Sequence, residues 1–147
     1  RKCDLCNNFL LEAKQFTSFV TGYTYNIKQN IGCNSNGVIY LASCNKCKLQ
    51  YVGSTSNAFK VRFRNHKSDM LRSKKSCELA IHFNSFPHAL SDFSFIVIEQ
   101  IQNTTGDLDR VLLTREGYWA AQLRTLQPYG LNKRCEFRSK KRINYRR

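Results

Sequence analysis

The sequence predicts a small α/β domain of the α+β kind, and three patterns in its 147 residues carry that prediction. Two short runs rich in aromatic and branched residues flank a turn, a compact apolar run lies further on, and apolar residues recur at helical spacing on both sides of it. A chain of this length suits one domain, which buries roughly 70% of the surface its unfolded form exposes. Hydrophobic content of 41% and charged content of 23% are ordinary for a folded protein and argue against wholesale disorder.

Residues 1 to about 30 open with Cys3-Asp4-Leu5-Cys6 and continue through the polar and aromatic stretch Phe16 to Tyr25, whose order the pattern leaves open. Val38 to Ser43 and Gln50 to Ser54 read as the strands of a hairpin, with Cys44-Asn45-Lys46-Cys47 in the turn. Phe59, Phe63, His66 and Met70 fall at i, i+4, i+7 and i+11, one face of a helix. Ser94 to Ile101, centred on Phe95-Ile96-Val97-Ile98, suits a buried strand. Asp107 or Asp109 can start a helix that reaches about Thr125, with Leu108, Val111, Leu112, Trp119 and Leu123 inward, and Gln127-Pro128-Tyr129-Gly130 ends it.

The unusual bulk quantity is charge: 24 Lys and Arg against ten Asp and Glu give +14. Such an excess points to a polyanion, nucleic acid first, because each neutralised phosphate releases condensed counterions. A membrane partner is not expected: no run approaches 18 apolar residues, and no helix with a large clean apolar face stands out. Residues 133–147 hold eight of the basic residues against the single acid Glu136, so they read either as a solvated tail or as an arm that grasps DNA. The chain lacks an initiator Met and an apolar secretory segment, and reads as a piece of a longer polypeptide. Seven cysteines, two pairs of them at C-x-x-C spacing (Cys3/Cys6 and Cys44/Cys47), favour thiolate metal ligands in a reducing compartment over disulfides.

Several side chains are candidates for chemistry. Glu116 falls in the inward stripe Leu112, Glu116, Trp119, Leu123, where an unpaired carboxylate is costly, so a cation must come from another element: an arginine or a metal. One carboxylate with substrate phosphate and waters suits Mg²⁺. Tyr40 and Tyr51 lie on adjacent strands and are either packing residues or phenols polarised by a nearby cation, since an ordinary phenol is a poor base at neutral pH. Gly53 leaves room for a phosphate backbone. Arg62, one turn before His66, can fork onto a phosphate in the transition state or make an ordinary phosphate contact. His66 is a core imidazole or a hydrogen-bond partner of the tyrosine centre or of the phosphate, and Asn132 is a loop former or an amide that braces the site.

The ordered set Gly37-Val38-Ile39-Tyr40, Tyr51-Val52-Gly53, Arg62, His66, Glu116 and Asn132 resembles the GIY-YIG nuclease family. An extra Val stands between Gly37 and Ile39-Tyr40, and Val52 replaces the usual Ile. The resemblance implies a three-stranded antiparallel sheet flanked by helices and phosphodiester hydrolysis with one divalent metal, Mg²⁺ or Mn²⁺, on Glu116. It also implies Tyr40 as base with Tyr51 in support, Arg62 stabilising the phosphate, and DNA as partner. The C-x-x-C between the halves of the tyrosine motif, with Ala80-Ile81-His82-Phe83 and His88, is similar to the Cys-Cys-His-His variant of Penelope-like retroelements. That likeness implies a target-nicking endonuclease joined to an upstream reverse transcriptase, acting in the nucleus, for which Lys140-Lys141-Arg142 is the one import-like cluster. It divides the chain into a cysteine-containing linker (1–36), a nuclease domain (37–132) and a basic tail (133–147).

On chemical grounds Cys44, Cys47, His82 and His88 make a tetrahedral Zn²⁺ set, with Cys77 as an alternative ligand. The 34 residues between Cys47 and His82 are too many for a simple finger, so zinc would staple the hairpin turn to the region after the first long helix. Cys3, Cys6 and Cys33 suggest a second site that lacks an evident fourth ligand. Two other functions stay open: a zinc-stabilised nucleic-acid binding module without activity, and a structure-specific repair or restriction nuclease.

Overall fold

A computed structural model describes residues 3–75, 77–102 and 106–133. The predicted hairpin is β3 (Val38–Cys44) and β4 (Leu49–Thr55), following two short N-terminal strands, β1 (Gln15–Thr17) and β2 (Thr24–Asn26), and a five-residue helix α1 (Asp4–Asn8). Helix α2 (Phe59–Leu71) comes next, then α3 (Glu78–Phe83), β5 (Phe93–Gln100) and α4 (Leu108–Leu123). The main sheet is antiparallel throughout in the order β4-β3-β5, so the family's expected three-stranded architecture is what forms.

Central β3 is buried at every position because both faces of the sheet are covered. This is why its sequence is a continuous apolar run rather than an alternation. Val38, Tyr40, Ala42 and Cys44 join Phe93, Phe95 and Val97 on one face, under Phe59, Phe63 and Met70 of α2 and Leu79 and Ala80 of α3. Ile39, Leu41, Val52 and Ile98 pack on the other face against Leu112 and Leu123 of α4 and Phe16 of β1. Asp107 caps α4 by accepting from the amide of Asp109, one of the two starts the sequence allows. Along α4 the buried residues are Leu112, Glu116, Ala120 and Leu123, while Leu108, Val111 and Trp119 are half-buried.

The N-terminal segment is more ordered than its composition suggests. Phe16 stacks on Tyr25 across β1 and β2 and meets Trp119 of α4 edge-on. Phe9 and Leu11 exchange backbone hydrogen bonds with Phe95, which covers part of the outer edge of β5 and protects it from intermolecular pairing. Elements of five residues or fewer and no clean period hid these pieces, since β1 and β2 are three residues each and gain their stability from tertiary packing. The basic tail, including Lys140-Lys141-Arg142, lies outside the described residues apart from Lys133, whose ammonium pairs with Glu78 at 3.2 Å.

Candidate active site

Strand β4 is an edge of the sheet, and side chains from both faces meet around it. Tyr40 lies on the α2 side of β3, opposite Gly53 of β4. A Cβ at Gly53 would overlap Cζ and Oη of Tyr40, so the bare glycine is what lets the phenol lie across β4 toward the open edge. The space expected to admit a phosphate is taken by the tyrosine. Gly53→Ala is expected to cost about 1–3 kcal/mol by overpacking, read from urea unfolding, and to displace Tyr40 from its partners.

Those partners are Arg62 and His66 of α2. The Tyr40 hydroxyl accepts from Arg62 Nε at 3.3 Å and lies 2.5 Å from His66 Nε2. Tyr40 and His66 are both fully buried. Burial pushes the Tyr40 phenol pKa well up, and the Arg62 charge and hydrogen bond pull it back only in part. Burial, with the positive charge of Arg62 second, lowers His66 to about 3, so the ring is neutral at physiological pH. For Arg62, burial works against the charge, but Tyr40 and Tyr51 outweigh it and the guanidinium stays protonated. Tyr51 shares this face, its ring 6.1 Å from that of His66.

Glu116 approaches from the other side of the sheet. Arg62 and Asn65 of α2 and Asp109 and Glu116 of α4 line one cleft of about 360 Å³, together with residues 54–57 at the end of the edge strand and just after it. Ser54 Oγ donates to Glu116 Oε2 at 3.4 Å. A guanidinium and a carboxylate therefore bound a polar cleft, with the phenol of Tyr40 directly behind the guanidinium. This is a place where a phosphodiester finds a cationic donor and a hard oxygen ligand side by side. Asn65 was not foreseen, although it stands three residues after Arg62 and so must share its helix face.

Asn132 is not in that cleft. Its Oδ1 accepts from the Val52 amide at 2.9 Å and from Thr125 Oγ1 at 2.7 Å, and its Nδ2 donates to the Val52 carbonyl at 2.9 Å. Every hydrogen-bonding direction but one of this fully buried amide is thus used to hold β4 between Tyr51 and Gly53. Of the two roles the sequence allows it, Asn132 takes the bracing one: it holds the strand that carries the site and does not itself enter the cleft.

Of the proposed zinc ligands, Cys44, Cys47, His82 and His88 have ligating atoms all within 4.8 Å of one another. Cys44 ends β3, Cys47 lies in the hairpin turn, His82 is in α3 and His88 follows it, so the cluster ties the turn to α3 as the spacing required. His82 Nε2 is buried with no hydrogen-bond partner, an expensive state unless a metal takes its lone pair. His88 Nδ1 lies 3.0 Å from the Phe83 and Phe86 carbonyls, which fixes the proton there and leaves Nε2, 3.4 Å from Cys47 Sγ, as a ligand. Two thiols and two such imidazoles fit Zn²⁺. Cys77 is outside the cluster, its Sγ 3.7 Å from His66 Nδ1, so it is not the alternative ligand. Cys3, Cys6 and Cys33 also converge within 4.8 Å, three thiols without a fourth His, Cys, Asp or Glu among the described residues. No described helix is long and apolar enough to cross a membrane.

A family model described as "GIY-YIG catalytic domain" matches residues 36–130, the segment that contains the whole sheet and the cleft. No curated protein matches the chain. Among solved structures, the catalytic domain of the homing endonuclease I-TevI is similar at 23% identity and a TM-score of 0.51, covering 65% of this chain and 95% of that one. A point mutant of the I-TevI catalytic domain, there termed an intron endonuclease, gives the same identity and TM-score over 64% and 89%. At that identity the likeness concerns the fold.

Proposed function

This chain belongs to the GIY-YIG catalytic-domain family and is a nuclease domain, and from that premise we propose that it is a metal-dependent endonuclease that nicks DNA. The observation that carries this reading is the meeting of Arg62, Glu116 and, behind Arg62, Tyr40 at the edge of β4. Glu116 would hold Mg²⁺ or Mn²⁺, which supplies Lewis-acid stabilisation of charge on the phosphate when bound. Arg62 holds a non-bridging oxygen of the scissile phosphate. Arg62 Nε donates to the Tyr40 hydroxyl, and drawing the guanidinium onto the phosphate frees a lone pair of that oxygen to take a proton from the attacking water. Tyr51 supports the same face, and Asn132 keeps β4 in register beneath it. The net charge of +14 supplies nonspecific attraction to the duplex.

The finer part of the reading rests on the cysteines and histidines. Cys44, Cys47, His82 and His88 would hold a structural Zn²⁺ inserted between the halves of the tyrosine motif, as in endonucleases of Penelope-like retroelements. On this reading the chain nicks target DNA in the nucleus for an attached upstream reverse transcriptase, with residues 1–36 as linker, 37–132 as nuclease and 133–147 as basic tail. Backbone hydrogen bonds of Phe9 and Leu11 to Phe95, and the burial of Phe16, would anchor such a linker to the nuclease core.

The test is conversion of supercoiled plasmid to open circle with Mg²⁺, with Mn²⁺ and with chelator. Metal-dependent nicking supports the proposal. Binding without nicking makes the chain an inactive zinc module, and cleavage confined to branched duplexes makes it a structure-specific nuclease.

A further inference from the structure

The hydroxyl of Tyr40 poses a hydrogen-bond accounting question that its neighbours answer. Among the described residues its partners are Arg62 Nε, which can only donate, and His66 Nε2 at 2.5 Å. The residue is fully buried, and leaving its O–H without an acceptor there costs about 1–3 kcal/mol. The hydroxyl proton must therefore point at His66 Nε2, which must be bare. His66 is neutral, since burial and Arg62 hold its pKa at about 3, so its one proton is on Nδ1. The atom that Nδ1 meets is the sulfur of Cys77, 3.7 Å away, at the N-cap position of α3 and itself buried.

We propose that Cys77 is a positioning residue for the reaction, its sulfur holding His66 as the Nδ1–H tautomer so that Nε2 accepts the hydroxyl proton of Tyr40. The inference rests on the nuclease reading above and adds to it a buried chain of three side chains from β3, α2 and the start of α3. The chain turns the Tyr40 proton inward and leaves its oxygen lone pairs toward Arg62, which lines the cleft. That is the orientation a base needs. As Tyr40 Oη takes a proton from the attacking water, its own proton passes to Nε2, so one water O–H bond and one phenol O–H bond break while a new phenol O–H and an N–H form. No phenolate forms; the charge passes instead to the His66 ring, where burial first and Arg62 second oppose it, so the transfer is to be completed by pairing of Arg62 with the phosphate.

The charged and titratable groups around the chain are Arg62 from its own helix, Glu116 from α4, Tyr51 from β4 and Asp69 near the Cys77 thiol. Arg62 opposes a proton on His66, and that opposition weakens when the guanidinium pairs with the substrate phosphate. Cys77 itself remains a thiol: burial pushes its pKa up, and the Ala80 and Leu79 amides at the start of α3 pull it back only in part. A neutral sulfur is a weak acceptor, so it orients the ring without making it permanently cationic.

The chain contains three histidines, so ¹⁵N-histidine NMR of the zinc-loaded full chain resolves His66 without crowding, with His66→Gln assigning its signals. The expected wild-type result is a protonated Nδ1 and a bare Nε2. Cys77→Ala should mix the tautomers and lower kcat for nicking about tenfold with KM unchanged, the lower end of what losing an orienting partner costs. Cys77→Ser, which keeps an acceptor, should restore both. A wild-type ring protonated on Nε2 overturns the proposal, and so does a Cys77→Ala chain that nicks as fast as wild type. If wild type nicks nothing with Mg²⁺ or Mn²⁺, the nuclease reading falls first and takes the role of Cys77 with it.

Discussion

Glu116→Ala is expected to lower metal-dependent nicking by about a thousandfold or more, the scale on which a site loses its main charge-stabilising element. Glu116 is the carboxylate that α4 places in the inward stripe yet opens onto the cleft beside Ser54, and it is only 8% exposed. A carboxylate that far from solvent is retained at a cost, and removing it leaves the cleft without its buried hard ligand. The fold should not suffer, because alanine is the best helix former and the position no longer carries a desolvated charge. DNA binding should survive, since the basic excess that provides it lies elsewhere on the chain. Nicking, binding by gel shift and a thermal melt of the same variant separate these effects. Turnover close to wild type would refute the assignment of Glu116.

Zinc removal is expected to have the largest effect on stability. Purified chain should carry one equivalent of zinc, and either a strong chelator or Cys47→Ala should remove it and lower the melting midpoint on the order of 10 °C, the shift that ~3 kcal/mol produces in a domain this size. The physical reason is local. The turn between β3 and β4, α3 and the loop at His88 come from separate stretches of the chain, and their ligating atoms converge within 4.8 Å. Without the ion, His82 Nε2 is left buried and unpaired and two thiols crowd together. Because the turn registers β3 against β4, loosening it also loosens Tyr40 over Gly53, so nicking should fall with stability. Metal analysis showing no zinc in a cooperatively folding chain would remove this role. Any second equivalent that persists in Cys47→Ala would reside at Cys3, Cys6 and Cys33.

Much of the architecture was legible where periodicity is strong. The face Phe59, Phe63, His66, Met70 is the set of residues α2 buries, and the apolar run at Phe95 to Ile98 is in β5, as its composition demands. Helix α3 was not legible: six residues are too few to show a period, and the sequence displayed them only as a histidine-bearing motif. The paired strands β1 and β2 were hidden for the same reason. Around the cleft, the candidates Tyr40, Arg62 and Glu116 and the bracing amide of Asn132 could be read, but the use made of Gly53 could not. It depends on Tyr40, which lies across the strand.

The chain by itself determined the hairpin, the strand β5 and the two long helices, which faces they bury and which residue types are available for chemistry, because local spacing dictates the side of a helix or strand on which each side chain falls. Tertiary structure alone decided that α2 and α4, packed on opposite faces of the sheet, both reach past its β4 edge, so that Arg62 and Glu116 share a cleft. It alone decided too that Cys77 stands behind His66 rather than among the zinc ligands. Contacts between residues far apart in the chain follow from the order of strands and the crossing of layers, and no local pattern records either.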